Sequence, residues 1–236
     1  MLSMIAVVPE PPLLVPELAT GAVAETAALR AAARSAARAL ATAAPRWIAV
    51  GADAAGRRTV GPNARGTFAG FGADVVVGLS PPADGPVDPT LALPLLIAGW
   101  LAAGHQVEVR GELLAPDTPQ AACHAFGAEL ASEDCGDDWA LLVVGDGAVT
   151  HTEKAPGHLD ERAGPFDQTV AAALAGADAG ALARLDPPLA AQLCASGRVP
   201  WQVLAGAAAG RSWRGELLYS QAPFGVGYHV AIWRPA

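Results

Sequence analysis

Reactive side chains are crowded into one part of this chain. Asp146, His151, Glu153, Lys154, His158, Asp160, Glu161 and Arg162 fall in quick succession, while the rest of the sequence is mostly Ala, Leu, Val, Gly and Pro. An imidazole among carboxylates and one ammonium can move protons or hold a ligand. Lys154 is the only lysine; every other fixed cation is arginine. A lysine kept in an arginine-rich composition marks a position that wants a compact ammonium and not a planar guanidinium. His151 and Lys154 are therefore the catalytic candidates. Asp146, Glu153 and His158 are the pocket candidates.

The element that must carry this stretch is the apolar run Trp139 to Val144, stopped by Gly145-Asp146-Gly147. Such a run reads as a buried central strand that delivers the chain to a turn. Two other runs end the same way. Leu2 to Val8 stops at Pro9-Glu10-Pro11-Pro12, and Trp47 to Gly51 leads to Asp53. If the three strands are parallel neighbours, Glu10, Asp53 and Asp146 meet at one edge of a sheet. With His151 nearby, such acids either bind a divalent metal or raise one another's pKa for acid–base work.

The remaining pattern predicts helices over 20–44, capped by Thr20, and over 88–103, 117–132, 163–179 and 180–196. Asp186-Pro187-Pro188 restarts the last of these. A short helix is expected over 200–206. Residues 54–72 read as loop, and 73–79 and 105–110 as strands. Trp213–Ser220 and Gly225–Trp233 read as an antiparallel hairpin at the sheet edge. Arg30, Arg34 and Arg38 recur every four residues as a solvated stripe. The sum is one α/β domain over 1–236, a mixed central sheet flanked by helices.

Composition narrows the partners. The chain has 236 residues, 52% of them hydrophobic, and a formal net charge of -8. That balance argues against a nucleic-acid surface or an anionic membrane. Cys123, Cys135 and Cys194 form no metal-type pair; Cys123 and Cys194 read as small core residues. No leader or membrane span is legible, which leads us to expect a cytoplasmic protein. There is no Gly-x-Ser-x-Gly elbow, Walker loop, dinucleotide fingerprint or His-Glu-x-x-His helix.

Three motifs carry a resemblance over nearly the whole chain. They are Pro9-Glu10-Pro11-Pro12-Leu13-Leu14-Val15-Pro16, then Gly145-Asp146-Gly147 with Thr152-Glu153-Lys154-Ala155-Pro156-Gly157, then Glu216-Leu-Leu-Tyr219 with Ala222-Pro223-Phe224-Gly225-Val226-Gly227-Tyr228. In this order they resemble an actinobacterial family that is itself similar to the catalytic B subunit of class III extradiol ring-cleavage dioxygenases. The Memo proteins are more distant relatives. The resemblance implies an α/β sandwich with a non-haem Fe(II) site, held by two histidines and a glutamate, that cleaves a catechol ring with O₂. A further histidine is the acid–base group. It places Glu10 and Asp53 where the metal histidines would stand, Glu216 at the metal glutamate and His151 at the acid–base position. With carboxylates in place of imidazoles, the implied site suits Mg²⁺, Mn²⁺ or Ca²⁺ over Fe(II). Two functions follow: a diverged dioxygenase-like oxidoreductase, or a non-catalytic Memo-like scaffold that binds a small aromatic or anionic ligand or a protein. The terminal hairpin offers a homodimer contact.

Overall fold

The computed structural model describes residues 1–133 and 136–236. Strand β1 (Leu2–Val8) leads through two single-turn 3₁₀ helices to helix α1 (Ala27–Ala43) and strand β2 (Arg46–Ala52). Short strands β3 (Arg58–Val60), β4 (Arg65–Thr67), β5 (Val76–Gly78) and β6 (Val87–Asp88) precede α2 (Leu93–Ala102). Then come β7 (Glu108–Leu114), α3 (Gln120–Ser132) and β8 (Trp139–Val144). Helices α4 (Ala163–Gly176), α5 (Ala179–Ala183), α6 (Pro187–Gln192) and α7 (Arg198–Ala207) lead to β9 (Trp213–Gln221) and β10 (Tyr228–Pro235).

Seven strands form the main sheet in the order β3-β7-β2-β8-β1-β10-β9. The four inner strands β7, β2, β8 and β1 are parallel, and β3, β10 and β9 join antiparallel. The terminal hairpin therefore lies at the sheet edge, as its sequence predicts. All six residues of β8 are buried. Side chains alternate between two apolar layers, as the two-residue strand period requires. Met4, Ala6, Val8, Ala140, Leu142 and Val144 face α1 and α2. Ile5, Val7, Leu141 and Val143 face α3, α4 and α7. Helices thus cover both faces, which is what a parallel sheet needs.

Several boundaries differ from expectation. Helix α1 starts at Ala27, not near Thr20. The hydroxyl of Thr26 donates to Ala22 O, and residues 20–26 form turns. The arginine stripe is only partly solvated, because Arg30 donates to Leu13 O, Leu14 O and Thr26 Oγ1. Arg34 lies 4.7 Å from the Trp100 ring centroid. Residues 54–72 contain β3 and β4, and β4 pairs with β5 and β6 in a small second sheet. Cys194 is exposed and left-handed at φ 53°, so it is not a core residue, whereas Cys123 is buried. Cys135 lies outside the described residues. Asp186 caps α6 as expected, accepting from Leu189 N at 3.3 Å. Among the described residues no helix is long and apolar enough to cross a membrane.

Candidate active site at the carboxyl edge of the sheet

Strand register brings the acids together. Val8 pairs with Val144, and Val50 with Val143. Carried two residues past the ladder, that register sets Glu10 level with Asp146 on the adjacent strand. Asp53 follows on the other side of β8. Pro9 and Pro11 flank Glu10 and stop β1 there, because proline cannot continue the ladder. The Glu10 N–H then turns to Asp146 Oδ1 at 2.7 Å.

A third segment closes over this pair. Gly145 lies so close to the loop between α6 and α7 that a Cβ on it would fall 2.6 Å from Gly197 Cα. This approach lets Gly197 N donate to Asp146 O at 2.8 Å and Asp146 N donate to Ser196 Oγ at 2.9 Å. Ser196 Oγ in turn donates to Glu10 Oε1 at 2.6 Å. Burial, and then the neighbouring Asp146 charge, push the Glu10 carboxyl up to about 8; the Ser196 bond only partly opposes this. Burial likewise pushes Asp146 up to about 7, helped by the charge of Asp167. Burial also raises the phenol of Tyr228.

The second half of the site is built on β8, β10 and α4. The loop after β8 runs beside the turn before β10: Gly147 N donates to Gly227 O at 2.7 Å, and Gly227 N to Ala148 O at 2.8 Å. Asp167, buried on α4, points at this junction. A Cβ on Gly227 would lie 1.8 Å from Asp167 Oδ2, and one on Gly147 2.5 Å from its Oδ1. These two positions must lack a side chain for the carboxylate to enter. Asp167 Oδ1 accepts from Ala148 N at 3.1 Å. Asp167 Oδ2 lies 2.6 Å from His151 Nε2, and the His151 side chain keeps 18% of its surface exposed. The arrangement is a buried carboxylate holding a partly open imidazole, the geometry of a positioned base.

Gly227→Ala tests this packing. The added methyl meets a carboxylate, not a yielding apolar side chain, so a loss of about 2–3 kcal/mol is expected. Urea unfolding reads it, and the His151 ring signals should shift in the same variant.

Other candidates lie apart. Lys154, Glu153 and His158 are exposed in the loop after His151, with His158 left-handed at φ 60°. None of them joins Glu10, Asp146 or Asp167. Asp53 reaches the edge, and its charge helps raise Glu10, but its carboxylate pairs with Arg58 at 2.6 Å. Glu216 stands away from this cluster. It sits in mid-strand on β9, opposite Ile232, which in turn lies opposite Ala6. That position is back along the sheet from the carboxyl edge. Glu216 is also more than half exposed and paired with Arg234 at 2.9 Å. Among the described residues no three His, Cys, Asp or Glu side chains are arranged to hold a metal ion. The set Glu10, Asp53 and Glu216 thus does not fit a mononuclear iron site: Asp53 and Glu216 are each paired with an arginine, and Glu216 stands back along the sheet from Glu10.

Asp167, His229 and Ser196 are site residues that motif reading passes over. Asp167 left one signal. On α4 the buried positions are Ala163, Phe166, Asp167, Val170, Ala173 and Leu174. An acid on the apolar stripe of a helix must have a buried partner.

A cleft of about 570 Å³ opens between Pro116–Asp117 and the 187–198 segment and reaches Ser196. Ser196 in its wall is the residue whose hydroxyl donates to Glu10.

No family model matches the chain, and no curated protein matches it in sequence. In structure it is similar to the uncharacterized protein JW3007 from Escherichia coli K12, with TM-score 0.52 and 13% identity. That similarity covers 98% of this chain and 99% of the other. At this identity the likeness concerns the fold: an α/β architecture shared from end to end.

Proposed function

We propose that this chain is a diverged relative of class III extradiol dioxygenase B subunits whose carboxyl edge moves protons on a small molecule, with His151 as the base. The observation that carries the reading is the 2.6 Å contact between His151 Nε2 and the buried Asp167 carboxylate. The three sequence motifs that suggest the family converge here: the Glu10 turn, the 145–157 loop and the 225–228 turn.

The chemistry follows from the bonds. Asp167 takes the proton-bearing Nε2 of His151, so Nδ1 is the atom left to accept a proton. The imidazolium formed then stays paired with a buried anion. Glu10 and Asp146, raised to about 8 and about 7, hold protons near neutral pH and are acids of matching strength. In the family, iron would activate O₂ beside a chelated catechol. The carboxylates here do not converge on one point as the ligands of such an ion would. The cleft beside Ser196, walled by Pro116, Pro187 and Pro188, suits a small aromatic ligand; Arg198 in the same wall is held by Pro116 O and Thr118 O. We place such an enzyme in the cytoplasm.

The test is hydrogen–deuterium exchange. Wild-type protein is incubated in D₂O with a panel of small carbonyl acids and phenols, and exchange is followed by ¹H NMR. Catalysed exchange of at least one compound is expected, falling about 100-fold or more in His151→Asn. Equal rates in both proteins, or no exchange by the wild type, would overturn the reading. Anaerobic Fe(II) and Mn(II) titration addresses the metal separately. A stoichiometric site lost in Glu10→Ala would restore the metal-dependent alternative.

A second reading, an interaction scaffold without turnover, is favoured by β9, a nine-residue strand at the edge of the main sheet. Such an edge can pair with another chain. The partner in that reading is a second copy, and sedimentation of the purified protein decides it.

A further inference from the structure

Asp167 has a second imidazole beside it. His229 on β10 is 2% exposed, and its Nε2 lies 3.3 Å from Asp167 Oδ1. That contact falls outside hydrogen-bond geometry, and Nε2 has no other partner among the described residues. On the far side of the ring, Nδ1 lies 3.0 Å from Ser220 Oγ on β9. Trp201 on α7 closes the pocket edge-on, its ring centroid 6.0 Å away. The groups facing His229 are thus one carboxylate, one hydroxyl and one indole. The groups facing Asp167 are two imidazoles and the Ala148 N–H, with the Asp146 charge beyond them.

The two contacts of Asp167 are unequal. It leans on His151 at 2.6 Å and away from His229 at 3.3 Å. A carboxylate accepts hydrogen bonds and cannot donate them, so each ring nitrogen facing it favours carrying a proton. His229 then has Nε2–H toward Asp167 and a bare Nδ1, and a bare Nδ1 takes the hydroxyl proton of Ser220. Turning the ring the other way would aim a lone pair at a buried anion, which the surroundings cannot offset.

We propose that His229 and Ser220 are positioning residues. The chain Ser220 Oγ–His229–Asp167–His151 holds both rings with the proton on Nε2 and keeps Nδ1 of His151 bare for proton uptake. The proposal rests on the role given to His151 above and adds two residues that reach the site only through Asp167.

Histidine-selective ¹⁵N NMR at pH 8 reads each ring directly. In the wild type both His151 and His229 should carry the proton on Nε2, and both N–H signals should be protected from solvent exchange. His229→Phe should speed exchange of the His151 N–H about five-fold, the size expected when a buried carboxylate loses one polar neighbour. Ser220→Ala keeps the experiment decisive if the phenylalanine variant does not fold, because Ser220 is exposed. It should let His229 populate the Nδ1–H form and speed the His151 exchange in the same direction. A wild-type His229 with its proton on Nδ1 would overturn the proposal. So would a His151 N–H whose signal and exchange neither substitution alters. Asp167→Asn separates this from the reading it rests on: if that change leaves the His151 N–H untouched, the base itself is wrongly identified. If only the two outer substitutions are silent, His151 and Asp167 stand and the extension falls.

Discussion

Glu10→Gln should make the protein more stable at pH 8, by about 2 kcal/mol, and change little near pH 4. The sign comes from the direction of the shift. In the unfolded chain this carboxyl titrates near 4.5; in the folded protein burial and Asp146 raise it to about 8. Between those values the unfolded chain has released the proton and the folded one has not. The unfolded state therefore binds fewer protons, and stability falls as pH rises through this window. The favourable contribution is complete below about pH 4.5 and gone above about pH 8. Asp146 acts with the same sign, from its ordinary 3.8 up to about 7. Glutamine keeps the carbonyl that accepts from Ser196 Oγ and removes the ionisation. Its amide can also face Asp146 without like-charge repulsion. The magnitude is set below the full span of the shift, because Asp146 titrates with Glu10 and shares the cost. Urea unfolding of both proteins at pH 4, 6 and 8 reads the difference. A wild-type curve that declines with pH, beside a shallower one for the variant, is expected. Parallel curves would mean that Glu10 ionises freely in the folded state, and the acid role given to it would fall.

The same residue shows what sequence can and cannot supply. Proline on both sides of Glu10 and glycine on both sides of Asp146 are local signals, and they correctly end two strands. Which of these acids lie near one another depends on strand order: β2, β8 and β1 are parallel neighbours, which brings Glu10 beside Asp146 while Asp53 turns to Arg58. The hairpin, the α/β class and the Asp186 cap were legible for the same reason, since each rests on a short run of residues. Glu216 lies back along β9 from the carboxyl edge: a motif gives its order along the strand, not which end of the strand faces the site. Lys154 stands exposed, apart from the buried carboxylates. Its rarity is a property of the composition, whereas exposure is decided by how the 152–159 loop folds. Asp167 and His229 were missed because their partnership spans α4 and β10, and no local pattern joins them. Only the out-of-place acid on the α4 apolar stripe was there to read.

Asp167 carries the other large effect, and its two replacements should behave differently. Asp167→Ala removes the acceptor of the Ala148 N–H and the partner of His151, and leaves His229 without its nearest charge. Buried donors without acceptors are costly, so a loss of about 3 kcal/mol is expected. Asp167→Asn keeps the shape, and its loss should be about 1 kcal/mol. Its effect on function should nevertheless be the larger of the two relative to its effect on stability. The amide oxygen can still accept from Ala148 N, which points the amide NH₂ at His151. An NH₂ group donates, so His151 must offer a bare Nε2 and move its proton to Nδ1. The atom facing the site then becomes a donor and can no longer take a proton. A carboxylate-to-amide change of this kind in a serine-protease triad lowers turnover by about 10⁴ through the same reversal. The deuterium-exchange assay on Asp167→Asn should accordingly fall about 10²–10⁴-fold while the fold persists. Exchange retained near the wild-type rate in a folded Asn variant would show that Asp167 only fills space beneath the loop, and that the base lies elsewhere on the carboxyl edge.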